Sequence, residues 1–328
     1  MARKTTTPRH HAVRLLALLA ASACGSDERG AGEGRGPADS AETGAASSAP
    51  QATRLATVDS LENPEAVRWD PDLELWFVSN VNGAAGTKDN NGYITRLKPD
   101  GAIDSLKFVA GGRRGVRLNA PKGIAIVGDT LWVADIDAVR GFNKRTGAPI
   151  ASVNVPGAKF LNDVATGPDG IYVTDTGVLF SADGKMSHPG PDRVFKIAGR
   201  KVSTAVTLAG QLGPNGLTWD SAGSRFIIVP FAGKTAMTWA PGDSAAQPLA
   251  ETAGKLDGIE ALGGGRYLVT GWTDSSLSLL ADGRVTKIAG NLPSPADLGI
   301  DRARGRVAVP LLMENRVELL ELGSVASQ

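Results

Sequence analysis

Leu161-Asn162-Asp163-Val164-Ala165-Thr166-Gly167-Pro168-Asp169-Gly170-Ile171-Tyr172-Val173-Thr174-Asp175 reads as two short strands joined by a tight turn. Gly167-Pro168-Asp169-Gly170 makes the turn, since glycine supplies positive φ and proline pre-sets φ. The flanking runs are β-branched or aromatic, as strands prefer. Further on, Arg193–Ala198 and Lys201–Thr207 read as two more strands joined at Gly199-Arg200. Four short strands therefore form one unit.

The unit returns six times. Each copy opens on a pair of residues: Glu65-Ala66, Lys122-Gly123, Asn162-Asp163, Asn215-Gly216, Asp257-Gly258 and Ala296-Asp297. The spacing, about 40 to 57 residues, lies in the range of propellers and solenoids. The chain contains 41 glycines and 19 prolines, which suits many short strands and tight turns. The expected fold class is all-β, a six-bladed β-propeller. The last unit supplies only three clear strands, 297–301, 305–310 and 315–321. Thr53–Val58, before the first pair, is expected to complete that blade and remove an exposed edge.

The start of the chain has a different character. Arg3, Lys4, Arg9 and Arg14 precede the apolar run Leu15–Ala21, followed by Ser22-Ala23-Cys24-Gly25. This is a secretory-signal pattern, too short for a stable membrane-spanning helix. Cys24 is the only cysteine, so intramolecular disulfides are excluded. Its position resembles a bacterial lipoprotein signal, which implies acylation of Cys24 as the new N-terminus; ordinary secretion with cleavage after Ala23 is the alternative. Either way the protein is expected to be exported, the lipoprotein form being held in a bacterial cell envelope. Gly25 to about Ala52 is rich in Gly, Ala, Ser and Pro and reads as a flexible tether. The expected division is 1–23 signal peptide, 24–52 lipidated Cys24 and tether, 53–322 propeller and 323–328 tail.

Net charge for the whole chain is +1. Beyond the acid-free first 24 residues there are 31 basic and 34 acidic residues, a net −3. That balance lacks the footprint of a nucleic-acid binder. A monomer acting on a small molecule is expected, with membrane contact only through Cys24.

Propeller connectivity places the candidate site. The first strand of each unit, strand A, lies nearest the axis, and the residues just before it ring one mouth of the central channel. The A–B turns fall on the opposite face, whereas the long B–C loops, about 80–91 and 177–192, return to the first. Glu65, Lys122, Asn162, Asn215, Asp257 and either Ala296 or Asp297 are therefore expected at one mouth. Four of these offer oxygen ligands, two of them carboxylates, which suits a hard cation such as calcium. With no cysteine and one histidine, His188, beyond the leader, thiolate or imidazole metals are disfavoured.

The phrases Asn63-Pro64-Glu65-Ala66-Val67-Arg68-Trp69-Asp70, Leu161–Ala165, Pro214-Asn215-Gly216-Leu217 and Leu256-Asp257-Gly258-Ile259 resemble the gluconolactonase/regucalcin and paraoxonase-like superfamily of six-bladed propellers. The likeness covers roughly residues 53–321. It implies one calcium ion held by Glu65, Asn162, Asn215 and Asp257, with Asp257 also a catalytic base or nucleophile. Pro121–Ala125 with Leu131–Asp135 also resembles an NHL repeat. Three departures stand out. Phe160 occupies the position, two before the blade-three asparagine, where sugar-lactonase members carry arginine, which argues against a highly polar sugar. The histidine dyad of paraoxonase-like members is missing. Ala66 replaces an acid that helps some relatives hold a second calcium.

The expected activity is a calcium-dependent lactonase or esterase, with Asp257 and Lys122 as catalytic candidates. Lys122 would bind a substrate carboxylate or the oxyanion, and His188 is an acid–base candidate only if its loop folds over the mouth. The alternatives are a non-catalytic NHL-like envelope propeller that binds a ligand or partner, and a different reaction on the same scaffold, such as a strictosidine-synthase-like condensation.

Overall fold

A computed structural model of the chain describes residues 51–325 except 182 and 211. The leader, Cys24 and most of the tether therefore lie outside the described residues.

Six four-stranded antiparallel sheets follow one another around an axis. Strand A is Pro64–Asp70, Pro121–Val127, Leu161–Gly167, Pro214–Asp220, Leu256–Gly263 and Gly299–Asp301 in blades one to six. Successive A strands pack against each other and make the channel wall. The alternation read from Leu161–Asp175 holds: Leu161–Gly167 pairs with Gly170–Asp175 about the Pro168-Asp169 turn. The outermost strand of blade six is Thr53–Val58, running from Thr53↔Glu321 to Val58↔Val317 along Arg316–Glu321. The N-terminal strand thus closes the ring as expected.

The apolar core is divided into wedges between neighbouring blades. Phe77 and Ile94 of blade one meet Ile124 and Phe142 of blade two. Tyr172 and Val194 of blade three meet Leu217 and Phe226 of blade four. The closing wedge joins Val58 and Val317 of blade six to Val67 and Trp76 of blade one. Burial of apolar surface on both faces of every sheet removes the need for a disulfide. Beyond the last strand, Gly323–Val325 forms a 3-10 turn whose Val325 is buried against the wedge of blades five and six.

One local feature differs from expectation. The pairs do not simply precede strand A; in blades one to five they are its second and third residues. The residue before each pair is already in register with the end of strand B, as in Pro121↔Asp135 and Leu161↔Asp175. The ladder then slips, between Pro64 and Ala66, Pro121 and Ile124, Leu161 and Val164, Pro214 and Leu217, and Leu256 and Ile259. Such bulges bend a strand and re-aim a side chain. The same irregularity in five blades sits on the residues expected to carry the chemistry.

The small second residue of a pair has a packing cause. A Cβ on Gly216 would lie 2.4 Å from the Asp257 carbonyl oxygen, and one on Gly258 would lie 2.6 Å from the Asp297 Cα. Neighbouring A strands approach so closely there that no side chain fits.

Candidate active site at the upper channel mouth

Strand B braces the pairs. Thr174 Oγ1 accepts from the Asp163 N–H at 2.9 Å and donates to the Asn215 carbonyl at 2.7 Å, bridging blades three and four. Thr270 Oγ1 likewise accepts from the Gly258 N–H at 2.8 Å and donates to the Ala296 carbonyl at 3.0 Å. The terminal acids of strand B clamp the incoming chain: Asp175 Oδ1 accepts from the Phe160 N–H at 2.8 Å, and Asp135 Oδ1 from the Asn119 and Ala120 N–H groups at 3.0 Å. These polar residues hold backbone and leave the first residue of each pair for the channel.

The mouth is densely charged, and its side chains are almost fully buried. Glu65, Lys122, Asn162, Asn215 and Asp257 are each between 1% and 6% exposed. Burial, then the charge of Asp257, pushes the Glu65 carboxyl well above its usual range, and Lys122 opposes this. Burial, then Asp163, pushes Asp257 up to about 7, with the Trp272 hydrogen bond and the nearby Asn215 side chain opposing. The Trp272 indole N–H donates to Asp257 Oδ2 at 3.0 Å. Glu65 Oε2 and Asp257 Oδ1 are buried without a hydrogen-bond partner.

Beneath this ring lies a second acidic layer. Asp163 accepts from the N–H groups of Val164 at 2.6 Å and Leu217 at 2.7 Å. Burial raises its pKa to about 6 despite these bonds and the nearby Arg68. Asp297 is pushed well up by burial and by the charge of Asp163, with Arg68 opposing. Arg68 crosses the channel below, donating to Asp297 Oδ2 at 3.1 Å and to the Ile124 carbonyl at 2.7 Å, and pairing with Glu260.

Orphaned buried carboxylate oxygens at Glu65 and Asp257, beside two buried asparagines, form an oxygen-rich donor set suited to a hard cation. Among the described residues no three His, Cys, Asp or Glu side chains could hold a metal by themselves.

Lys122 does not reach bulk water. Its Nζ lies 4.0 Å from the Phe160 ring centroid and donates to the carbonyls of Ala120 at 3.0 Å and Ala85 at 3.4 Å. Burial lowers its pKa to about 8, against the pull of Glu65 and Asp135. The two long loops meet above it. The loop at 177–192 holds a small hairpin, Leu179–Phe180 with Met186–Ser187, and Phe180 packs on Gly86 of the other loop and on Phe160, ring centroids 5.2 Å apart. Across the mouth Phe231 meets Trp272 edge-on at 5.3 Å. His188 is partly buried in the same hairpin loop, its Nε2 2.5 Å from Asp192 Oδ1; the other Asp192 oxygen accepts from the Gly213 N–H at 2.7 Å.

Sequence reasoning singled out Glu65, Lys122, Asn162, Asn215 and Asp257, the first residues of five pairs. It did not assign roles to Trp272, Phe231, Asp163 or Arg68. Trp272 had one signal, an aromatic directly after strand B of blade five, where turn residues are expected.

Comparison with solved structures agrees with this architecture. A provisionally named gluconolactonase superposes with a TM-score of 0.60 at 16% identity, over 84% of this chain and 92% of that one. A luciferin-regenerating enzyme gives 0.59 at 15%, over 83% and 95%. A catalytically inactive virginiamycin B lyase from Staphylococcus aureus, in complex with quinupristin, gives 0.54 at 13%, over 83% and 98%. The chain shares their six-bladed fold. No family model matches it, and no curated protein matches it. At these identities the likeness concerns fold, and the function has to be argued from the site.

Proposed function

We propose that the chain is a metal-dependent hydrolase of the lactonase or esterase kind, working on a small molecule at the upper channel mouth. The observation that carries this reading is the pair of buried carboxylate oxygens, Glu65 Oε2 and Asp257 Oδ1, left without partners beside Asn162 and Asn215. Unpaired buried carboxylates are costly, and a divalent cation would offset both. Glu65, Asn162, Asn215 and Asp257 would hold it, and calcium fits an all-oxygen set. When bound, such an ion supplies Lewis-acid polarisation of an ester or lactone carbonyl and stabilises the oxyanion.

The chain's own residues account for the rest. Asp257 takes the proton of the attacking water, and Trp272 holds its carboxyl in place through Oδ2. Lys122, fixed between Phe160 and two carbonyls, contributes positive charge on the blade-two side. Phe160, Phe180, Phe231 and Trp272 favour an apolar acyl or aryl body over a sugar. The leader pattern and Cys24 support an exported lipoprotein tethered to a bacterial envelope.

A second reading, a non-catalytic envelope binder, draws support from Lys122, whose amine is already engaged by Ala120 and Ala85 carbonyls. Metal analysis of the purified protein, with lactone and aryl-ester panels run with and without chelator, separates the two. Hydrolysis that chelator removes and calcium restores is expected of the enzyme. A metal-free protein inert to every panel member would leave the binder.

A further inference from the structure

The channel has a second mouth, on the face of the A–B turns. A cavity of about 570 Å³ opens there, lined by all six blades. That volume lies within the range of small-molecule sites. Trp69 of blade one and Trp219 of blade four, half the ring apart, contribute apolar lining together with Ile126 and Leu217. Arg68, which crosses the channel beneath the upper ring, also lines it, whereas Glu65, Lys122, Asn162, Asn215 and Asp257 do not.

Of the three cations that line this cavity, two are paired with carboxylates. Lys144 holds Asp70 at 2.8 Å and Asp72 at 2.9 Å. Arg68 has its guanidinium fully committed to Glu260, Asp297 and the Ile124 carbonyl. Arg302 donates to the Ala261 carbonyl and has no carboxylate partner among the described residues. It lies close enough to Arg68 for the two like charges to repel, which with burial lowers its pKa. A planar guanidinium with free donors is suited to a two-point grip on a carboxylate.

We propose that the lower mouth is a binding site for a small organic monoanion, a carboxylate on a flat apolar body, gripped by Arg302 and flanked by Trp69 and Trp219. A carboxylate on Arg302 would offset the repulsion between Arg302 and Arg68. The proposal stands independently of any chemistry at the upper mouth.

Calorimetric titration of the full-length chain with sodium benzoate, and separately with inorganic phosphate, tests it. Saturable one-to-one binding of benzoate is expected, with phosphate weaker because it cannot use the apolar lining. Arg302→Gln should weaken benzoate by about tenfold or more, the size of one charge-assisted hydrogen bond. Arg302→Lys should recover only part of the loss. Arg302 is exposed enough for these changes to leave folding intact, and thermal melting of each variant verifies this. Absence of saturable benzoate binding, unchanged affinity in Arg302→Gln, or preference for phosphate would overturn the proposal.

Discussion

The indole N–H of Trp272 donates to Asp257 Oδ2 at 3.0 Å, while Oδ1 of the same carboxyl has no hydrogen-bond partner. One oxygen is anchored to the protein and the other remains for a ligand. Trp272→Phe keeps most of the ring and removes the donor. Since that bond lowers the pKa of Asp257, its loss should push the group further above about 7. Calcium affinity at neutral pH should fall, and the pH at which binding sets in should rise. An onset pH identical to that of the parent protein would show that the indole does not tune Asp257.

Asp257→Asn should abolish calcium binding and reduce hydrolysis by about 10²-fold or more, the scale of a lost general base. The fold should persist, because the change removes a buried like charge beside Glu65 and Asp163. Circular dichroism and calorimetry with calcium check both parts. Retained calcium stoichiometry in a folded variant would remove Asp257 from the ligand set.

Stability should depend on pH in a metal-reversible way. Asp163 and Asp257 have folded-state pKa values raised to about 6 and about 7, mainly by burial. For a raised acid the folded state binds more protons than the unfolded one. Their contribution is therefore fully present below the unfolded value, about 4, and is lost as pH rises through about 6 to 7. Metal-free protein should accordingly lose stability across that window, and calcium should remove the decline. Thermal melts with chelator and with calcium, at a series of pH values, test this; a flat metal-free profile would contradict it.

Gly216→Ala should destabilise the protein by roughly 1–3 kcal/mol, the usual cost of overpacking. The new Cβ would lie 2.4 Å from the Asp257 carbonyl and 2.9 Å from Val229 Cγ2. The inner strands of blades four and five would have to separate, which would also displace Asp257. Denaturant melts and calcium titration should therefore change together. A variant as stable as its parent would mean that the inner strands yield more easily than their packing indicates.

The repeat made the blades legible before the structure. The period of the pairs, the Pro168-Asp169 turn and the leftover Thr53–Val58 strand were enough to anticipate six sheets and their closure, because strand alternation and turn chemistry are local. The residues of the upper ring were readable for the same reason, as the variable first position of an aligned phrase. What could not be read depended on partners far apart in sequence. Arg68 is meaningful only beside Asp297 and Glu260, and Trp272 only beside the one oxygen of Asp257 that it anchors. The bulges that re-aim the pairs also went unread, since they arise from register against strand B. Lys122 reads as a binder of a substrate carboxylate or oxyanion, and its enclosure by Phe160 and Ala85 was not legible.

Thr53–Val58 is the outermost strand of its blade, the one farthest from the axis. Just ahead of it the Ala52 N–H donates to the Ile288 carbonyl of blade five at 2.8 Å, so the described chain enters the disc at its circumference. Neither opening of the channel is therefore crossed by the described start of the chain.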